Sequence, residues 1–379
     1  MKKAFQILLL ALFLAAALGM AAGAETVEDL YNEQLEASGG EELLQDLPDE
    51  TRQLLDKLGI TGLEMDSFSS LDPQSVWSQM LALFASQAGS PIRACGVVLG
   101  IVLLCAWMDG LKHTVREPGA SEVFGVICAL AACGTVIVPI VSCIRGVSEA
   151  VESASIFMTS YVPVYAGVLL TSGQAATAVS YQSVVLFAAE LISLLASQVV
   201  MPLMTISLAM GLTGSVTPGM KLDAAGTLLN KAASWLLGLC CTLFVGLLSL
   251  QSLAGAAADT LGGRAVKFTL SSFVPVVGNS LGEAFSTIRS CLHLLKSTLG
   301  GFGILATALM VLPPLLECIA WTLGLSLCAM ASEMFGLATL TTLLKTAQGV
   351  VKTLIGVLAS CAMFLIVSTA IVTMSMPAG

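Results

Sequence analysis

Charged residues are scarce in this chain. Asp, Glu, Lys and Arg make up 11% of its 379 residues, whereas hydrophobic residues make up 56%. Soluble globular domains carry about a quarter charged residues, so the composition excludes an ordinary soluble protein. Basic residues are in deficit as well, because 16 Lys and Arg face 25 Asp and Glu. Without a cationic excess to neutralise phosphates, the sequence predicts no nucleic-acid partner.

The residue patterns of common active sites are also missing. The chain has two histidines, His113 and His293, and its 11 cysteines form no CxxC pair. Zinc sites and Ser-His-Asp relays draw on clustered His, Cys and carboxylate residues. Neither the phosphate-binding pattern GxxxxGK[ST] nor the metalloprotease pattern HExxH occurs. We therefore predict that the protein is not an enzyme and holds no cofactor or metal.

An export signal is the first feature that is present. Lys2 and Lys3 precede an apolar run over 4–18, and Ala22-Gly23-Ala24 supplies small residues before a cleavage site. This pattern predicts a cleavable signal peptide over 1–24. The mature chain is then expected to begin outside the cytoplasm.

The next segment, residues 25–90, is predicted to be a small acidic, amphipathic and helical region outside the cytoplasm. Leucines recur at helical spacing over 43–58, with Asp49 and Glu50 at the expected start of a helix and Gly59 just past its end. Its acidic residues form either a solvated face, which we favour, or a docking face for a basic partner.

Five apolar segments are each long enough to cross a bilayer, at 92–108, 123–144, 232–253, 302–325 and 350–374. A sixth, at 184–212, contains Pro202 and is predicted to form one tilted or kinked helix. The segment 154–170 leaves two interpretations open, a crossing that gives seven spans or a dip that gives six. Under both interpretations the Lys and Arg residues divide between the two sides of the membrane in the same proportion, so their distribution does not decide between them. The predicted fold is all-α and polytopic, with about seven transmembrane helices.

An internal repeat organises this membrane part. Ser160-Tyr161-Val162-Pro163-Val164 returns, 112 positions later, as Ser272-Phe273-Val274-Pro275-Val276. We predict the following membrane segments: the first two transmembrane helices over 91–153, repeat one over 154–253, a polar amphipathic connector over 254–301, and the membrane part of repeat two over 302–379.

Proline-broken segments at matching positions of a repeat favour a pathway at the repeat interface. Pro163 and Pro275 are therefore candidate path-lining residues, although prolines that merely shape the bundle are an equal alternative. Glu190 and Glu317 lie in apolar segments, where a charge is costly and must face protein or water. Both are further candidates for lining a polar path.

The connector contains an amphipathic helix from Leu281 onward. Its cations lie on another face than its leucines, and it either lies at the membrane surface, which we favour, or packs against a partner helix. The candidate contacts with a partner or with the membrane surface are Arg264, Lys267, Arg289, His293 and Lys296.

The same region carries a family resemblance. Its residues are Leu250-Gln251-Ser252, Asp259, Arg264, Lys267-Phe268, Phe273, Pro275-Val276-Val277-Gly278, Leu294-Leu295-Lys296, Gly300 and Gly303. With the signal peptide and the acidic exported segment, the chain resembles the stage III sporulation protein AE family of endospore-forming Firmicutes.

The resemblance implies a subunit of the multi-protein channel or secretion apparatus between mother cell and forespore. The expected partners are the bilayer and the other subunits of the complex, including an ATPase and ring-forming proteins. The expected location is the mother-cell-derived membrane around the forespore, with the N-terminal region in the intermembrane space. The alternative is a stand-alone permease with a path at the repeat interface.

Overall fold

The computed structural model describes residues 27–60, 62–63, 73–111, 118–216, 222–273 and 278–374. Those residues form helices joined by turns, and no strand occurs among them. In chain order the helices are α1 (Val27–Ala37), α2 (Asp49–Lys57), α3 (Pro73–Leu111), α4 (Pro118–Thr171), α5 (Ala175–Leu195), α6 (Met201–Val216), α7 (Leu222–Phe273), α8 (Gly278–Met334) and α9 (Ala338–Met374). The predicted all-α class is confirmed, and the predicted signal peptide lies outside the described residues.

Six helical stretches in the described part of the chain are long and apolar enough to cross a membrane. They are Ser78–Met108, Leu130–Thr171, Ala175–Gly214, Ala225–Leu261, Ser290–Met334 and Ala338–Thr373. Each has 31–45 residues, whereas a span needs about 20. Part of each helix therefore extends beyond the hydrocarbon core or tilts within it. The fold is that of a polytopic membrane protein.

Of the two numbers that the sequence leaves open, six and seven, the described residues contain six candidate spans. The segment 154–170 forms neither a separate crossing nor a dip, because it is the second half of the 54-residue helix α4. Pro139 and Pro163 both lie inside this helix. A proline removes one helical hydrogen bond, but the neighbouring helices that pack along α4 hold the helix together across it.

The segment 184–212, predicted to form one tilted or kinked helix, contains an irregular turn. A π-helical segment, Ala196–Val200, separates α5 from α6 directly before Pro202. A π-helical turn inserts an extra residue into the hydrogen-bond ladder and bends the helix at that point.

The N-terminal region 27–63 forms a small folded unit that packs on α8. The Tyr31 hydroxyl donates a hydrogen bond to the Leu63 carbonyl at 2.6 Å, and burial raises the pKa of Tyr31 above its usual 10.0. Arg52 donates to the carbonyls of Leu44 (3.1 Å) and Leu47 (3.2 Å), which ties α2 to the turn before it. The helix predicted from the leucine spacing and from Asp49 is present as α2.

One end of the bundle, named here the upper end, is where α4 ends and α5 begins. Lys296, near the start of the candidate span Ser290–Met334 of α8, donates to Gln174, the residue before α5. Tyr165, near the end of α4, shares a 2.8 Å hydrogen bond with Thr373, near the end of α9. The N-terminal region also packs near this end, because its Gly39 lies next to Val164 of α4.

The opposite end, named the lower end, is where α8 ends and α9 begins. Glu333 at the end of α8 forms an ion pair with Lys345 at the start of α9. Nearby, the Ser207 hydroxyl of α6 donates to the Gly226 carbonyl of α7 at 3.0 Å. These contacts show that successive long helices alternate in direction.

Two helices differ from the others in the surface that they expose. The largest buried side chains belong to α4, α5, α8 and α9, and include Trp321, Tyr161 and Phe302. Helix α7 instead presents a row of large apolar side chains outward, among them Trp235, Leu243, Leu247, Leu250 and Leu253. Helix α3 does the same with Val97, Leu103, Leu104 and Trp107. In a membrane protein such faces meet lipid.

The internal repeat and the domain boundaries stay predictions. The spans of α5 and α8 begin 115 positions apart, at Ala175 and Ser290, and those of α7 and α9 begin 113 apart, at Ala225 and Ala338. These spacings resemble the sequence offset of 112. The predicted boundaries at 253 and 302 fall inside α7 and α8, so the connector 254–301 is made of the end of one long helix and the beginning of the next.

Candidate functional site

Asp259 of α7 caps the first turn of α5. Its Oδ1 accepts from the backbone N–H of Ala176 at 2.8 Å, and its Oδ2 accepts from the N–H and hydroxyl of Thr177 at 3.0 and 2.7 Å. A carboxylate at a helix N-terminus satisfies N–H groups that have no partner in the helix and interacts favourably with the helix dipole. Gly255 allows the close approach, since a Cβ there would lie 2.9 Å from the Thr177 Oγ1.

Lys296 of α8 contacts the same end of α5 through Gln174, the residue before that helix. Its side chain is only 4% exposed, and its Nζ donates to Gln174 Oε1 at 3.0 Å. Lys296 therefore does not lie at the membrane surface, and its predicted surface position is corrected. The reason is that its face of α8 is covered by the start of α5, whose Gln174 offers the oxygen that a buried ammonium group needs. His293, three residues earlier, is exposed as predicted for a surface residue.

Gln174, Thr177, Asp259 and Lys296 together form what we name the upper polar junction. All four side chains are buried. They link α5, α7 and α8 at one level of the bundle. Thr177 donates to Asp259, and Lys296 donates to Gln174. Both oxygens of Asp259 accept hydrogen bonds from the first turn of α5, and the Lys296 ammonium group donates to Gln174, so the geometry fits a structural contact between helices.

A column of tyrosines continues from the junction toward the bundle centre. The rings of Tyr161 and Tyr165 stack at 5.6 Å between centroids, and Tyr181 meets Tyr165 edge-on at 5.4 Å. The Tyr161 hydroxyl donates to the Leu299 carbonyl at 3.1 Å. These rings are fully buried, so α4 is held to α5 and α8 by close aromatic packing.

Glu317 lies between α8 and α4. It is half-buried, and the Cys143 thiol donates to its Oε1 at 3.7 Å. Pro313, one turn earlier, is buried in the same helix. The carboxylate thus faces another helix of its own bundle, as a charge within an apolar helix requires. Its role as a path-lining residue stays a prediction.

Glu190 and Pro163 both lie on outward faces. Glu190 is exposed on α5, on the same face as the exposed side chains of Phe187 and Leu194. Pro163 is exposed on α4, so it does not face the interior of a single copy, and its role as a path-lining residue stays a prediction. Helical geometry gives the reason: Tyr161 and Tyr165 take the buried face, and the residue midway between them points away from it.

The structure does not describe the side chains of the remaining candidate residues. Pro275 lies outside the described residues, and so do the side chains of Arg264, Lys267 and Arg289.

A pocket of about 180 Å³ lies between α4, α5 and α9, lined by Val151, Ser155, Ala189, Ile192, Cys361, Phe364 and Leu365. Its lining has no charged group. In the described part of the chain, no group of three His, Cys, Asp or Glu residues is placed to hold a metal ion.

Sequence reasoning missed most of the upper polar junction. Asp259 entered only as part of the family resemblance, and Gln174 and Thr177 were not predicted at all. A signal does precede them, because Gly173 adopts a positive φ of 79° at the end of α4. A Gly after a helix indicates a C-terminus, and polar residues that directly follow it are candidates for the start of the next helix.

Comparisons with known proteins identify the family of the chain. A sequence profile described as Stage III sporulation protein AE (spore_III_AE) matches residues 62–375. The Stage III sporulation protein AE of Bacillus subtilis (strain 168) is 25% identical over 235 residues, which cover 62% of this chain and 59% of that relative. No solved structure matches the chain. Because the profile match covers most of its length, this six-helix membrane protein belongs to the stage III sporulation protein AE family, whose role is in sporulation.

Proposed function

We propose that the protein is a non-enzymatic, integral-membrane subunit of a multi-protein channel or export apparatus that links mother cell and forespore during endospore formation. Its proposed partners are the other subunits of the stage III sporulation complex, including an ATPase and ring-forming proteins. Its proposed location is the mother-cell-derived membrane around the forespore. Family membership supports the sporulation context.

The outward position of Glu190 is the observation that carries the subunit role. Glu190 lies 15 positions into a 40-residue candidate span that begins at Ala175. A carboxylate on an apolar span is costly in lipid and normally faces protein or water. Within the described part of the chain Glu190 has neither a hydrogen bond nor an ion pair, so a single copy leaves this requirement unmet. Assembly with other chains meets it, because chains that surround this face keep lipid away from the carboxylate.

A stand-alone permease is the second candidate, and the same geometry argues against it. A permease needs its polar groups around one central path. Here Glu317 faces α4 inside the bundle while Glu190 faces outward, so the two carboxylates share no cavity. The pocket of about 180 Å³ between α4, α5 and α9 is apolar and touches neither of them.

The proposed orientation has the upper end, with the N-terminal region, in the intermembrane space. The predicted export signal and the acidic character of 25–90 support this side. Lys345 and Lys352, in the first half of α9, lie toward the lower end. Cationic residues favour the cytoplasmic side of a membrane.

Affinity purification of the tagged full chain from sporulating membranes tests the subunit role. We expect the ATPase and ring-forming subunits to be recovered and identified by mass spectrometry. Glu190→Leu should reduce their recovery at least tenfold at equal abundance, whereas Phe187→Leu, one turn away on the same face, should not. Recovery of the protein alone, together with solute transport by the purified chain in liposomes, would instead establish the permease.

Glu317 provides a second prediction, under the hypothesis that it borders the export path. Glu317→Ala should lower spore yield at least tenfold without lowering the amount of protein in the membrane. Glu333→Ala is the matched control, because Glu333 is an exposed carboxylate of the same helix at the lower end. Normal sporulation of the Glu317→Ala strain, with a normal amount of the protein, would contradict the hypothesis that Glu317 borders the export path.

A further inference from the structure

The bundle has one outward face on which charged and other polar side chains stand among exposed apolar ones such as Ile156 and Phe187. We name it the polar face, and it is formed by exposed side chains of α4 and α5 and of the π-helical segment. On α4 these residues follow one another at intervals of three, four or seven positions, as one side of a helix requires. Its members are Ser142, Arg145, Glu149, Glu152, Thr159, Ser183, Glu190 and Gln198.

The acidic residues of the polar face lie at one height in the bundle. The Ser155 hydroxyl of α4 donates to the Ala189 carbonyl of α5 at 3.4 Å. Glu152 is one turn from Ser155, and Glu190 directly follows Ala189. Both carboxylates are exposed, so two acidic side chains from neighbouring helices face outward at the same level.

Helix α7 shows which side chains another side of the bundle exposes at the height of Glu190. The ring of Phe187 on α5 meets that of Phe244 on α7 at 6.0 Å between centroids, which brings the Glu190 level of α5 to the middle of α7. There the outward residues of α7 are Leu239, Leu243 and Leu247. The stretch 232–258 of α7 contains no charged residue. The α7 face therefore meets lipid at the height where the polar face carries Glu152 and Glu190.

Charged side chains at the height of a lipid-facing helix must themselves meet water or protein. The interior of one copy offers no place for them, since the centre of the bundle at this level is filled by Phe157, Phe364 and the apolar pocket. Close contact between two dry polar faces is also unfavourable, because Glu152 and Glu190 at equal heights would repel each other. Water has to separate them.

We propose that several copies of this chain assemble with their polar faces turned toward a common, water-filled lumen. Copies related by rotation about the membrane normal keep equal heights, so their Glu149, Glu152 and Glu190 side chains form an acidic belt around the lumen while α7 stays in lipid. Such closed, symmetric arrangements are usual for oligomers, and rings of carboxylates line known aqueous channels. This proposal rests on the proposed function, and it assigns the lumen to this subunit.

Cysteine labelling of the purified full chain in liposomes tests the lumen. Single cysteines are introduced as Glu152→Cys, Glu190→Cys and, as the control at the same height, Leu243→Cys. The nine described free native cysteines are buried or half-buried, and the unsubstituted chain gives the background. We expect a membrane-impermeant maleimide to label Glu152→Cys and Glu190→Cys at least tenfold faster than Leu243→Cys. Equal rates would overturn the proposal.

Cross-linking of the same samples tests whether copies of the chain lie next to one another. Bifunctional, water-soluble maleimides should join two copies through Glu190→Cys and not through Leu243→Cys, and thermal unfolding like that of the unsubstituted chain verifies the fold. Fast labelling of a chain that never cross-links to itself would overturn the assembly of copies. Because only this chain is present, failure here with full recovery of partners from sporulating membranes would leave the subunit role intact.

Discussion

Asp259→Ala is expected to lower the free energy of unfolding by on the order of 3 kcal/mol. The substitution removes a helix cap, which is worth about 0.5–2 kcal/mol. It also leaves the buried N–H groups of Ala176 and Thr177 without their acceptor, and an unpaired buried polar group costs about 1–3 kcal/mol. Detergent-solubilised protein, followed by circular dichroism during heating, gives the measurement.

Two variants control this experiment. Asp259→Asn keeps one acceptor oxygen and should lose about half as much stability. Thr260→Ala changes the next residue of α7, whose hydroxyl bonds only the Ala256 carbonyl of its own helix, and should change stability by less than about 0.5 kcal/mol. Equal melting of Asp259→Ala and Thr260→Ala would mean that the contact between α7 and α5 does not hold the upper end together.

Gly303→Ala and Gly301→Ala are expected to change stability in opposite directions. Alanine in place of glycine within a helix normally stabilises it by up to about 1 kcal/mol. At position 301 a Cβ meets nothing within 4 Å, so the normal gain is expected. At position 303 a Cβ would lie 2.7 Å from Cε2 of Tyr161 and closer still to its Cζ.

Tyr161 has no room to move away from that Cβ. Its ring is fully buried and stacks on Phe157 at 5.5 Å and on Tyr165 at 5.6 Å. Overpacking of this kind costs about 1–3 kcal/mol, so Gly303→Ala should melt at a lower temperature than the unsubstituted protein and Gly301→Ala at the same or a higher one. Equal melting temperatures of the two variants would contradict the close approach of α4 and α8.

Helices were predictable from the sequence, whereas the continuity of α4 was not. Long apolar runs identify spans by a property of the chain alone, and five of the predicted segments lie within single helices. Pro163 indicated a break because a proline removes a helical hydrogen bond. The helix continues across it because Tyr161 and Tyr165 anchor the flanking turns to other helices, which is information about packing and not about local sequence.

The faces of the helices were harder to predict than their positions. Periodicity separated the apolar from the polar side of the N-terminal part of α8, but it could not indicate that Gln174, 122 positions earlier, covers Lys296. The partners of Asp259 are 82 and 83 positions away for the same reason. For Glu190 the cost of a charge in lipid predicts a polar surrounding, but that argument does not distinguish its own bundle from another chain.

Native mass spectrometry of the tagged protein, extracted with its lipids from sporulating membranes, tests the central claim most directly. The account predicts a complex that contains several copies of this chain together with further subunits of the sporulation apparatus. Glu190→Leu should shift the distribution toward smaller assemblies. A mass that corresponds to one copy of this chain alone, unchanged by Glu190→Leu, would contradict both the subunit role and the assembly of copies around a lumen.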